Sequence, residues 1–127
     1  NFVNTDLFLM RVAEAYLTYA EASTRINGTN DDASEKVNAL RTRANATTKN
    51  LYDLNDICDE WSREFWFEGR RRMDLIRYGR YAGQAEYKWE WMGGQANGAQ
   101  FGSHMSIYAL PVADLANNSN LVQNPGY

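Results

Sequence analysis

The chain has 127 residues, 44% of them hydrophobic and 13% aromatic, with 13 basic and 16 acidic side chains for a formal net charge of −3. That length suits one domain or part of a larger one, and the apolar fraction is enough to form a core. The charge balance argues against a nucleic-acid binder, which needs a clustered positive surface; the single Cys58 excludes an internal disulfide, and with one histidine, His104, a zinc site lacks ligands.

The first two-thirds of the chain read as helix. Asn4 or Thr5 is expected to cap a first helix. Leu7, Met10, Ala13, Tyr16, Leu17, Ala20 and Ile26 recur along it at helical spacing, and Asn27-Gly28 ends it. Its interior mixes small and large residues, and the small ones let a second helix approach closely. A second helix is predicted over 31–45, capped by Asn30 or Asp31 and striped by Ala33, Val37, Leu40 and Ala44. The short link makes the two an antiparallel hairpin. After a polar connector, a third helix is predicted to run unbroken over 53–78. Asp53 and Asp56 form its capping box, and Leu54, Ile57, Trp61, Phe65, Arg72 and Ile76 share a broad face. Cys58, among Asp56, Asp59 and Glu60, reads as inert packing, since acidic neighbours disfavour the thiolate.

From Arg80 the helical period is lost and glycines accumulate. Short strands are expected over 87–92 and 107–110, and the polar ending after Asn117 must be pinned by neighbours to be ordered. The division expected is a helical part, 1–79, and an irregular tail, 80–127. So long a loop-rich stretch is unusual in a complete domain. The chain also starts Asn1-Phe2-Val3-Asn4, without Met or a basic leader, and the natural N-terminus is expected to lie upstream. No apolar run reaches the ~20 residues of a membrane span.

Three blocks in order carry a resemblance. Leu9-Met10-Arg11-Val12-Ala13-Glu14-Ala15-Tyr16-Leu17-Thr18-Tyr19-Ala20-Glu21-Ala22 is the first, continued by 37–44. Glu64-Phe65-Trp66-Phe67-Glu68-Gly69-Arg70-Arg71-Arg72-Met73-Asp74-Leu75-Ile76-Arg77-Tyr78-Gly79 is the second and most specific. Ile107-Tyr108-Ala109-Leu110-Pro111 with the ending Gln123-Asn124-Pro125-Gly126-Tyr127 is the third. Together they resemble the C-terminal region of SusD/RagB outer-membrane nutrient-binding lipoproteins. Ala113, Asp114-Leu115 and Ser119 depart from the family pattern in a surface turn. The resemblance implies a mostly α fold, a tetratricopeptide-like helical scaffold with a loop-rich tail. It also implies a parent that binds glycan at the bacterial cell surface and is held to the outer membrane by a lipid anchor outside this segment. That parent would pass its cargo to a SusC-like TonB-dependent transporter. No enzyme activity and no cofactor are implied. A helical protein-interaction scaffold, or a relative that binds a non-glycan nutrient such as peptide, stays open.

Two constellations invite chemistry. Glu60, Glu64 and Glu68 recur at intervals of four, but glycosidase carboxylates face a sugar from opposite sides about 5–9 Å apart, which residues stacked on one helix cannot do. An ion-pair network is expected instead, with Glu64, Glu68, Arg70, Arg72 and Asp74 as structural anchors. Its predicted pairs are Asp59 with Arg63, Glu68 with Arg72 and Arg70 with Asp74. Arg70-Arg71-Arg72 point around a helix and make no single basic patch. Trp89 and Trp91 would share one side of an extended segment, and with Tyr87 they are the candidate ligand contacts, through stacking on sugar rings. Both indoles packing the loop onto the helices is the plainer reading, and ligand contact stands beside it as the functional one.

Overall fold

The computed structural model describes residues 9–83 and 87–127. The expected caps Asn4 and Thr5 and the stripe residue Leu7 lie outside the described residues. The chain divides into two compact units, Asn1–Arg71 and Arg72–Tyr127, while the change in composition sits at residue 80.

In the first unit α1 (Val12–Asn27), α2 (Asp31–Arg43) and α3 (Leu54–Glu64) pack together, α1 touching both others. Helix one therefore starts later than its apolar pattern does. Arg11 precedes it with extended backbone and no side-chain cap, since a guanidinium has no acceptor to offer the first-turn N–H groups; it donates instead to Glu68 beyond the end of α3. The buried stripe of α1 is Ala13, Leu17, Ala20 and Thr24, joined by Glu21. Tyr16 and Ile26, expected in that stripe, are exposed. The alternating three- and four-residue steps of the buried positions keep one seam on α2, which buries Ala33, Ser34, Val37 and Leu40 against it. Gly28 closes α1 with φ +74, its N–H donating to the Thr24 carbonyl at 3.0 Å. Asn30 then caps α2, accepting from the Ala33 N–H at 2.9 Å and donating to the Gly28 carbonyl at 2.8 Å.

The polar connector is held by side chains. The Tyr52 hydroxyl donates to Asn38 Oδ1 at 2.7 Å and accepts from the Lys49 N–H at 2.8 Å, and its ring is buried. The Asp53–Asp56 capping box forms as expected.

The predicted third helix is two helices. α3 stops at Glu64, residues 65–70 form a turn, and α4 (Arg71–Arg77) leads from the first unit into the second. Phe67 at φ +62 and Gly69 at φ +74 cannot continue a right-handed helix. Arg11 donates to the Glu64 carbonyl, which the next helical turn would otherwise have served, and the Glu68 N–H turns back to the Phe65 carbonyl at 3.0 Å. Apolar periodicity continued across this break and concealed it.

The second unit adds two short 3-10 turns, Met92–Gly94 and Ser103–Ser106, and α5 (Val112–Asn117). Among its described residues there is no strand, only a single parallel bridge between Ala82 and Phe101. The two predicted strands fail for different reasons. Residues 87–92 bend because Trp91 adopts φ +63 and the Met92 N–H bonds back to the Trp89 carbonyl at 3.1 Å. Residues 107–110 join no ladder, because their backbone is served by side chains of the chain's ending. Gln123 accepts from the Leu110 N–H at 2.8 Å and donates to the Leu110 carbonyl at 3.0 Å. Asn124 donates to the Tyr108 carbonyl at 2.7 Å, and the Tyr127 hydroxyl donates to that of Ile107 at 2.9 Å. Gly126 is obligatory in this clasp: it has φ +95, and a Cβ there would lie 2.6 Å from His104 Cβ.

Candidate functional site

Three glutamates at the end of α3 and in the turn after it are each bound by arginine. Glu60 binds Arg41 at 2.7 Å and Arg63 at 2.8 Å. Glu64 binds Arg11 and, at 2.7 Å, Arg43. Glu68 takes two hydrogen bonds from Arg11, at 2.9 and 2.8 Å. Arg70 reaches Glu14 on α1 at 2.5 Å and lies over the rings of Trp61 and Phe65, 4.8 and 5.1 Å from their centroids. Arg11 lies 4.0 Å over the Phe65 ring from its own side. Two arginines thus fix the turn after α3.

These partners differ from the helical neighbours expected. Breaking the helix at 65–70 removes the i to i+4 geometry that would pair Glu68 with Arg72 and Arg70 with Asp74, and Arg63 meets Glu60 in place of Asp59. Arg72 instead donates to the Met105 carbonyl at 2.7 Å and stacks over Tyr108 and Tyr81 at 3.9 and 4.9 Å. Asp74, buried, accepts from Arg77 at 2.9 Å. The hydrogen bond from Arg11 outweighs burial and holds the Glu68 carboxyl below the usual carboxylate range. A glycosidase acid needs the opposite shift, so Glu68 is unsuited to donate a proton.

The arginine-clamped turn has an exposed edge. Trp66 and Phe67 meet edge to face with centroids 5.1 Å apart, and they are 71% and 88% exposed. A left-handed conformation costs a bulky residue about 1–2 kcal/mol. Phe67→Gly is accordingly expected to raise stability by about 0.5–1 kcal/mol, since glycine adopts that backbone freely and little burial is lost. Chemical denaturation measures this, and a destabilised variant would show that the Phe67 ring holds the turn.

The aromatic candidates sit in the second unit. Tyr87 and Trp89 are in ring contact, with centroids 5.8 Å apart and planes at 52°, and Arg80 lies 4.8 Å from the Tyr87 centroid. Trp91 is the left-handed residue of the bend itself, at φ +63, and is 68% exposed against 39% for Trp89. The extended alternation that would align the two indoles is therefore absent, and the structure pairs Trp89 with Tyr87. The bend is tight: a Cβ at Gly98 would lie 2.5 Å from the Trp89 carbonyl oxygen. Sequence reasoning overlooked Arg11, Glu14, Tyr81 and Tyr108. Arg11 and Tyr108 stand inside the first and third resemblance blocks, which was the available signal. Among the described residues no cluster of three or more His, Cys, Asp or Glu is placed to hold a metal, and no helix is long and apolar enough to cross a membrane.

The first unit is thus a helix pair backed by a third helix, and the Glu64–Gly79 block contains the arginine-clamped turn at 65–70 followed by α4. Residues 2–127 match the model of the SusD family, SusD_RagB. The chain belongs to the SusD family. It is 46% identical over 127 residues to the starch-binding protein SusD of Bacteroides thetaiotaomicron, covering 99% of this chain and 22% of that protein. Its fold matches surface glycan-binding protein A from Bacteroides uniformis with a TM-score of 0.78 at 25% identity, covering 95% of this chain and 28% of the other. It also matches a laminarin-binding SusD-like protein with a TM-score of 0.69 at 28% identity, covering 94% and 23% respectively. This SusD-family chain is mostly α with a tetratricopeptide-like helical scaffold, as its sequence predicted. It spans about a quarter of the length of the relatives it matches.

Proposed function

We propose that the protein carrying this segment binds oligosaccharide or polysaccharide at the bacterial cell surface without cleaving it, and hands it to a SusC-like TonB-dependent transporter in the outer membrane. The observation that carries this reading is 46% identity, along essentially the whole chain, to a protein named for binding starch. Two structural neighbours named for glycan and laminarin binding support the same ligand class. Within this segment the role is mainly scaffold. Glu64, Glu68, Arg70, Arg72 and Asp74 anchor the turn and the helices on either side of it, and the bend bearing Tyr87, Trp89 and Trp91 is its contribution to ligand contact. The chemistry is stacking of the apolar face of a pyranose on an exposed ring, with hydroxyls directed to polar neighbours.

A glycan array on the full-length protein tests the ligand class. Binding to peptides and to no glycan would sink the carbohydrate reading, and tight binding to a protein with no small ligand would favour a scaffold. The bend is tested by Trp91→Gly. At φ +63 glycine relieves backbone strain, so the variant is expected to be at least as stable as the parent. Loss of one stacked ring should weaken glycan binding by about tenfold, on the order of 1.4 kcal/mol. Unchanged affinity in titration calorimetry would remove Trp91 from the site, and a lower melting temperature would make its ring structural.

A further inference from the structure

Arg11, Arg41, Arg43, Arg63 and Arg70 in the first unit each bond to a glutamate. Arg72, in the second unit, does not. Among the described residues no carboxylate pairs with it, and its hydrogen bonding is the Nη2 donation to the Met105 carbonyl at 2.7 Å. A guanidinium has five N–H donors, so most of the Arg72 donor edge is unspent. Its guanidinium carbon lies 3.9 Å from the Tyr108 centroid and 4.9 Å from that of Tyr81, which in turn meets Phe101 at 5.2 Å. Rings beside a cation displace water and strengthen a charged hydrogen bond made at its edge.

Tyr108 is 71% exposed, yet it is held. Arg72 lies against its ring, Asn124 donates to its carbonyl at 2.7 Å, and the Tyr127 hydroxyl donates to the preceding Ile107 carbonyl at 2.9 Å. An exposed ring fixed in this way needs little further ordering to take a ligand on its free face.

A ligand for this pair brings an apolar face for the ring and an acceptor for the arginine edge. A neutral sugar supplies hydroxyl oxygens but leaves the charge unmatched. A carboxylate matches it, and is taken in plane by two parallel N–H groups. A hexuronic acid residue carries both features, a C–H face on its ring and a carboxylate in place of the exocyclic hydroxymethyl group. We propose that Arg72 and Tyr108 form a subsite for an acidic sugar, with a hexuronate carboxylate on the Arg72 edge and its pyranose ring on the free face of Tyr108. The subsite uses none of Tyr87, Trp89 and Trp91. It rests on the carbohydrate reading and narrows it to a glycan that contains uronate.

Titration calorimetry on the full-length protein tests it. The probes are oligomers of galacturonate, mannuronate and glucuronate, each also as its methyl ester, and neutral glucan oligosaccharides. Esterification removes the charge and keeps the shape of the ring. At least one acid should bind about tenfold more tightly than its ester, the size expected of a charge-assisted hydrogen-bonded contact. Arg72→Gln should abolish that preference. Tyr108→Ala should weaken acid and ester alike by about tenfold and leave their ratio unchanged. Equal affinity for acid and ester in every case, or binding of neutral glucans and of no acid, overturns the proposal and leaves the carbohydrate reading standing. Binding of no glycan at all overturns both. A preference that persists in folded Arg72→Gln also overturns the proposal. Should Arg72→Gln fail to fold, the acid and ester comparison on the wild type decides.

Discussion

Trp61→Ala is expected to cost about 3–5 kcal/mol, the cost typical of deleting a large buried ring. Trp61 is among the largest fully buried side chains, so its removal leaves a void that its neighbours cannot fill without moving. Three further contacts go with it. The indole meets Phe65 at 5.2 Å between centroids, carries the Arg70 guanidinium on its ring, and donates from Nε1 to Glu21 at 3.0 Å. Glu21 is buried on α1 and is ion-paired with Arg25 at 2.9 Å, so the lost hydrogen bond removes one partner of a buried carboxylate. Urea denaturation followed by circular dichroism measures the effect. With total stabilities commonly about 5–15 kcal/mol, failure to fold is within the expected range. Trp61→Phe retains much of the volume without the Nε1 donor and should fall between the two. A Trp61→Ala loss under about 1 kcal/mol would contradict this account of the core.

Arg11→Met is the second large effect, expected at about 2–3 kcal/mol. Removing one partner of a fully buried pair costs about 3–5 kcal/mol, and the Arg11 side chain is 23% exposed, which lessens it. Methionine keeps much of the apolar contact with Phe65 and deletes the charge. Glu64, nearly buried, keeps Arg43, whereas Glu68 loses both hydrogen bonds and the Glu64 carbonyl loses its donor. The pH dependence gives an independent readout. The Glu68 pKa is depressed in the folded chain, chiefly by the hydrogen bond from Arg11. Its stabilisation is therefore complete above the unfolded glutamate pKa of about 4.3 and is lost as pH falls through the lower folded value. Wild type and Arg11→Met should differ most near neutral pH and converge in acid. A difference that stays constant down to about pH 2 would mean that Arg11 acts through packing alone.

The Trp61 and Arg11 cases differ in how far sequence could anticipate them. Trp61 lies on the apolar stripe of the third predicted helix, and periodicity marks it as core. Arg11 is a lone charge that precedes a helix, and its partners stand 53 and 57 positions away. The ion-pair network was expected from alternating charges, yet its predicted pairs assumed an unbroken helix. The left-handed backbone at Phe67 falls at a residue type that gives no warning of it, so the break was invisible to pattern. Trp91 repeats the lesson in the second unit: an alternating Trp-Glu-Trp reads as extended, and the left-handed backbone at Trp91 breaks that extension.

The sequence by itself determined the family, the helical scaffold, the hairpin of α1 and α2, and the capping box at Asp53, and it narrowed the α2 cap to Asn30 or Asp31. Those features depend on residues close together in the chain or on motifs read in order, and local physics suffices for them. Tertiary structure alone decided which carboxylate meets which arginine, where the third helix breaks, and that the ending at 123–127 clasps the backbone of 107–110. Each of these pairs groups distant in sequence. Such pairs form only after chain folding has covered the entropy of bringing them together, and no periodicity records them.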